Sequence, residues 1–310
     1  IGKNNIYKIY KGTFDGQGHT VSGLYFNNSN TACVGLFGFI DSGGKISNVG
    51  VVDSYFNGYY YVSGVCGYNI SGTISNCYHI GVVEGYLYVG GVCGDNDSES
   101  SAISNCYHIG VVSGSSYVGG VCGANYGSES NCYNIGAVSG RNNCVGGVCG
   151  ENYGSISNCY SAGAVSGSYN VGGVIGFINT GTISYCFFDR EKCDKKAVGK
   201  NEDNIGNVTN TEGKTTAQFA SGEVCYLLND SKTDGTQAWY QDLTAETGDK
   251  LPILKATGKN TVYQVKKYSG CEHNAGTYVK SYSNLNKDVY AGYTSEGTCS
   301  HGKYQKAFFN

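Results

Sequence analysis

The stretch YVGGVCGANYGSESNCYNIGAVSG, residues Tyr117–Gly140, is nearly a copy of what stands on either side of it. YVGGVCGDNDSESSAISNCYHIGVVSG precedes it from Tyr88, and CVGGVCGENYGSISNCYSAGAVSG follows from Cys144. Aligning the valines gives Val34, Val62, Val89, Val118, Val145 and Val171, at spacings of 28, 27, 29, 27 and 26 residues. A second landmark, ISNCY or a close variant, recurs at Ile46, Ile74, Ile103, Glu129, Ile156 and Ile183. A repeat of this length means a solenoid, a propeller or an array. Each repeat holds several short strand-like runs and no ten-residue helical pattern, which excludes the helical repeats. Leu87 is the sole leucine between Val62 and Cys186, so a leucine-rich horseshoe fails. A propeller blade needs roughly 40 or more residues. One coil of a parallel β-helix fits.

The irregularities agree with that reading. From the VCG cysteine to the NCY cysteine the distance is 11, 13, 10 and 10 residues, so most length variation falls in one loop. Strands that stack in register tolerate variation only in a turn. The expected fold is all-β, a right-handed parallel β-helix of about six to seven coils spaced at about 4.8 Å, hence a rod of roughly 30–35 Å. GTFDGQGHTVSGLYF (Gly12–Phe26) shares the texture and reads as its first coil. The asparagines Asn48, Asn76, Asn105, Asn131 and Asn158 form a column expected to take the left-handed turn conformation and to build an amide ladder.

Composition supports the class and removes others. Of 310 residues, 49 are glycine and one is proline, without the three-residue period of collagen. Charged residues make up 15%, the net charge is −3 and no basic stripe exists, which argues against nucleic acid. No apolar run reaches the 18 residues that would span a membrane. With neither a signal peptide nor a starting methionine, the sequence reads as a piece of something longer.

GTFDGQGHTVSGL followed by VGLFG, then repeated VGGVCG, ISNCY and GAVSG, resembles the GLUG repeat over about residues 12–190. That repeat occurs in large secreted or cell-surface bacterial proteins, among them adhesin-like proteins and immunoglobulin A proteases. Thr215–Leu254 resembles a segment that often follows such repeats. The resemblance implies a secreted or surface-displayed, non-catalytic adhesin-like module. The proteases of the group are zinc enzymes with H-E-x-x-H, and none of His19, His79, His108, His273 and His301 sits in that motif. A protease activity therefore does not carry over.

Fifteen cysteines fall into sets. One column is Cys66, Cys93, Cys122 and Cys149, and the other is Cys77, Cys106, Cys132, Cys159 and Cys186. The columns occur together, which favours a disulfide inside each coil: Cys66–Cys77, Cys93–Cys106, Cys122–Cys132 and Cys149–Cys159. Free buried thiols are the competing reading, because phenylalanine, valine and isoleucine take the same places. No CxxC or recurring histidine points to a metal in these columns. Near the end, Cys271 and Cys299 are expected to bridge a small β module.

Tyr78, Tyr107, Tyr133 and Tyr160 follow the second cysteine column, and strand alternation turns them outward. Such a ladder can stack on sugar rings, or it can simply cover the strands, and the second reading is favoured. Acids are sparse in the coils. Asp95, Asp97 and Glu99 share one inserted loop and read as a solvated turn, so no enzyme and no cofactor is implied. The division expected is residues 1–190 for the β-helix, 191–257 for a cap with a short helix from Thr215 or Thr216 and a strand at LPIL, and 258–310 for a small β module. Function reads as a rigid rod for attachment or display, with host glycans, surface proteins or neighbouring domains as partners. The alternatives are the stalk of a secreted protease or a carbohydrate-active β-helix enzyme.

Overall fold

The computed structural model describes residues 9–230, 237–241 and 250–254, and the backbone of four further strands at 277–280, 288–291, 297–299 and 302–304. Two compact units divide the chain, residues 1–213 and 214–310.

The first unit is a parallel β-solenoid whose coils contribute strands to four stacked faces, one of which takes two short strands from three of the coils. Taking the coil at Ile74, face 1 is Thr73–Ser75, face 2 is Tyr78–Glu84, face 3 is Leu87–Gly90 and face 4 is Cys93–Asn96. Faces 1 and 4 hold eight and seven strands, so the stack runs about seven turns. The valines align as expected: Val34, Val62, Val89, Val118, Val145 and Val171 are successive register partners. The strands Val198–Asn201 and Asn207–Thr209 extend faces 4 and 1 past residue 190. The long spacing in the second repeat is also resolved. Six positions separate Asn96 from Ala102 where three separate Asn125 from Ser128, and both flanking strands stay in register.

Corners form where side chains permit them. Asn48, Asn76, Asn105, Asn131 and Asn158 all have left-handed backbone, with φ between 52° and 56°. Asparagine accepts that geometry at little cost, which is why it recurs at the corner between faces 1 and 2. The second glycine of VGG, which is Gly64 in the variant VSG, meets a different demand. A Cβ on Gly64 would lie 2.1 Å from the ring of His79, which fills the space left by the missing side chain. Gly173 makes the same room for Phe188.

The interior is built of columns. Isoleucines of face 1, valines of face 3 and of the following corner, and cysteines at either side pack into one continuous core. Buried amides run beside it. Asn69, Asn96, Asn125 and Asn152 close face 4, and each Nδ2 donates to the next Oδ1 at 2.7, 2.8 and 2.9 Å. All four are fully buried, and the ladder satisfies amides that would otherwise each cost about 1–3 kcal/mol. On the exposed column, Asn76 donates to Asn48 at 3.1 Å.

In the second unit the expected helix is present as two short ones, Thr216–Ala220 and Glu223–Leu228. Thr215 caps the first in a reciprocal arrangement with Gln218. Gly222, at φ 86°, separates them. Phe219, Val224 and Leu228 are buried as the apolar face, and Cys225 joins them where Leu227 stays half-exposed. Trp239–Tyr240 pairs antiparallel with Ile253–Leu254. Two further antiparallel pairs follow, Thr277–Lys280 with Asp288–Ala291 and Gly297–Cys299 with Gly302–Tyr304.

Candidate functional site

The tyrosines singled out from the sequence do form one ladder. Tyr78, Tyr107, Tyr133 and Tyr160 stack with centroids 4.8, 4.7 and 5.1 Å apart and planes within 10° of parallel. Their neighbours along the strand, His79 and His108, point inward, as alternation requires. Stacking has a consequence for binding: each ring face along the ladder is occupied by the next ring. Tyr133 is 6% exposed and Tyr160 not at all, so half the ladder is packing.

The expected within-coil disulfides Cys66–Cys77, Cys93–Cys106, Cys122–Cys132 and Cys149–Cys159 are not formed. All thirteen cysteines with described side chains are buried thiols. Between Cys66 and Cys77 the chain lays down a whole strand of face 1 with its inward Ile74. The first column's thiols donate forward along face 4, as Cys122 does to the Ala124 carbonyl at 2.9 Å. The second column's donate back to face 1, as Cys132 does to the Ser130 carbonyl at 3.2 Å. The sulfurs therefore have their own column as neighbours, where parallel Cβ vectors oppose the disulfide dihedral. Burial pushes the thiols of Cys66, Cys93 and Cys106 well above the ordinary value, which makes them inert. Cys271 lies outside the described residues, and so does its pairing with Cys299.

The acids also depart from expectation. Asp95 sits on face 4 rather than in a solvated turn and is 4% exposed, while Glu151, two rungs away, is 6% exposed. Burial raises both carboxyls above the ordinary carboxylate range. Asp97, at the start of the inserted loop, accepts from the Tyr68 hydroxyl.

Two surface grooves with tyrosine floors were not legible as sites. The larger, about 690 Å³, follows the corner between faces 2 and 3. Its floor is Tyr59 and Tyr86, stacked at 5.1 Å with planes 5° apart, and 38% and 45% exposed. In the next coil Ser115 takes the corresponding place, its amide donating to the Tyr86 carbonyl. The two-ring stack thus ends at Tyr86, with a small polar residue where a third ring would stand. Polar groups border the floor: Asn30, Asn57, Glu84, Ser113, Ser115 and Arg141. Tyr55 donates to Glu84 at 2.8 Å, which fixes that carboxylate at the rim. The second groove, about 600 Å³, has the Tyr126–Tyr153 stack as its floor and Asp97 and Glu99 beside it. The available signal was an aromatic residue two positions before the left-handed tyrosines Tyr61 and Tyr88, in YYYVSG and YLYVGG.

Among the described residues, one group of side chains could hold a metal ion: Glu129, Cys132 and Cys159, all buried. No described helix is long and apolar enough to cross a membrane.

Comparison with known proteins agrees with the repeat reading. The family model of the GLUG motif matches residues 141–166. No curated protein matches the chain. Among solved structures, the fold is similar to the crystal structure of "a putative immunoglobulin A1 protease from Bacteroides ovatus", with a TM-score of 0.55 and 21% identity. The match covers 78% of this chain and 76% of that one. At that identity the likeness concerns the fold.

Proposed function

We propose that this GLUG-repeat β-solenoid is a non-catalytic attachment module of a secreted or cell-surface bacterial protein, and that it holds glycans in the groove floored by Tyr59 and Tyr86. The observation that carries the reading is the termination of that tyrosine stack at Ser115, with both rings more than a third exposed. A sugar ring presents C–H groups to an aromatic face and hydroxyls at its edge. Tyr86 offers the face, while Glu84, Asn57, Ser113 and Arg141 offer acceptors and donors at the rim.

A non-catalytic role is supported by what the columns repeat. Glycine, asparagine, valine and cysteine recur in register from coil to coil, while among the described pairs no carboxylate is matched by another in the adjoining coil. Asp95 and Glu151 flank Ala124 on face 4, and burial raises both carboxyls above the ordinary carboxylate range. A second reading, prompted by a structural neighbour described as "a putative immunoglobulin A1 protease", makes the solenoid the non-catalytic stalk of a larger secreted protease. Glycan-array retention separates the two. Binding lost on Tyr59→Ser/Tyr86→Ser supports attachment. Absence of retention on any glycan supports the stalk, and turnover of a polysaccharide would end the non-catalytic reading.

A further inference from the structure

Between Phe14 and Val208 the inward column of face 1 reads Ile46, Ile74, Ile103, Glu129, Ile156 and Ile183. The isoleucines are at most 1% exposed, and Glu129 is fully buried among them. Neither of its carboxylate oxygens has a hydrogen-bond partner. In an apolar column that is a costly substitution, since an unpaired buried polar group costs about 1–3 kcal/mol and a charged one far more. What surrounds it is sulfur. The Sγ atoms of Cys132 and Cys159 and a carboxylate oxygen of Glu129 all lie within 4.8 Å of one another. Cys122 and Cys149, from the other cysteine column, are close enough to interact electrostatically with the same carboxylate.

We propose that Glu129, Cys132 and Cys159 form a buried site for a thiophilic divalent metal ion of the zinc class. Zinc binds thiolate sulfur at about 2.3 Å and carboxylate oxygen at about 2.0–2.2 Å, so tetrahedral donors stand roughly 3.5–3.8 Å apart. The three donor atoms, all within 4.8 Å of one another, are at most roughly 1 Å farther apart than that spacing. Two thiolates and one carboxylate are the donor types that zinc and cadmium take, whereas calcium and magnesium require oxygen alone. Binding displaces the thiol protons of Cys132 and Cys159, which now go to the Ser130 and Ser157 carbonyls at 3.2 and 3.1 Å, and any proton on Glu129. No electron transfer is involved. Cys106, Cys122 and Cys149 lie outside this set of three, so the fourth position falls to a water molecule or to a sulfur that moves in. Because Cys132 and Cys159 belong to successive coils, the ion would clamp two turns in the middle of the stack.

The test uses the full chain, denatured and refolded under reducing conditions with Cd²⁺ or Zn²⁺ present, so that a closed interior does not exclude the metal. The expected result is one ion per chain after desalting, with an ultraviolet sulfur-to-cadmium charge-transfer band and a raised melting temperature. Glu129→Ile completes the isoleucine column and should fold at least as well as the natural chain. It should lose the band and the metal-dependent rise, with affinity falling by more than roughly 100-fold, beyond the range set by losing an outer-shell contact. Cys66→Val/Cys77→Val, which removes thiols two coils away, should keep both. Two results overturn the site: a refolded natural chain that retains no stoichiometric metal, or a Glu129→Ile chain that retains it unchanged. The second would make the ion a ligand of the cysteine columns at large.

Discussion

Replacing His79 and His108 together by valine should remove much of the protein's acid sensitivity. The two imidazoles stack 5.2 Å apart, are fully buried, and occupy one column with Val51, so valine has a precedent in the preceding coil. Burial holds both neutral, depressing their pKa from 6.5 to about 3 for His79 and about 4 for His108. A histidine whose folded pKa is depressed leaves the unfolded chain binding more protons below pH 6.5. Stability is therefore full above that pH and is lost as pH falls from about 6.5 towards 4 and 3. At pH 5.0 each residue lies 1.5 pH units below its unfolded pKa, and at about 1.36 kcal/mol per unit that is about 2 kcal/mol each, or about 4 kcal/mol together. Asp95, Glu129 and Glu151 carry raised carboxyls that favour acid, but they are common to both proteins and cancel in the comparison. Urea unfolding at pH 7.5 and pH 5.0 measures the effect. The natural chain should lose about 4 kcal/mol more than the double valine variant between the two pH values. An equal loss in both proteins would refute the account of the column.

Three further outcomes follow from the packing. Asn125→Ala removes one rung of the buried ladder and strands the Asn96 amide and Asn152 carbonyl, so urea unfolding should show a loss of about 3–5 kcal/mol. An exposed asparagine such as Asn28 should cost under about 0.5 kcal/mol. Gly64→Ala drives a methyl against the His79 ring, and the cost of about 2–4 kcal/mol should shrink by at least about 1 kcal/mol in a His79→Ser background, as a double-mutant cycle reads directly. Mass spectrometry after alkylation should find the Cys66, Cys93, Cys122 and Cys149 column and the Cys77, Cys106, Cys132, Cys159 and Cys186 column unmodified in the native protein and fully modified once denatured. Peptides joined as Cys93–Cys106 would reinstate the disulfide reading.

Sequence spacing was enough for the architecture because strand register is a length constraint. The valines from Val62 to Val171, the corner asparagines and the inserted loop at 97–101 follow from counting alone. Contacts between columns are a different kind of information. Both cysteine columns occur in the same coils because both fill one interior layer, and joint occurrence carries no hint that face 1 lies between them. Asn69, Asn96, Asn125 and Asn152 are not singled out by the sequence, and only their register reveals that they bond to one another inside. Tyr107 and Tyr160 share one motif but differ in exposure, which the motif cannot encode. Tyr59 and Tyr86 gain their meaning from Ser115, a residue 29 positions after Tyr86 that ends the stack. Glu129 stood in plain view as the departure from isoleucine in ESNCY, and its weight becomes clear once the position is known to be interior.

The attachment reading rests on the open end of one tyrosine stack, and glycan retention by the Tyr59→Ser/Tyr86→Ser chain tests it most directly. One open aromatic face of about 1–1.5 kcal/mol predicts a loss of roughly 5- to 12-fold in affinity for any glycan the natural chain retains, with the fold kept because both rings lie at the surface. The ladder variant Tyr78→Ser/Tyr107→Ser should bind as the natural chain does, since its ring faces are already taken. Retention that survives loss of Tyr59 and Tyr86, or that vanishes with Tyr78 and Tyr107 instead, would contradict the assignment of the groove.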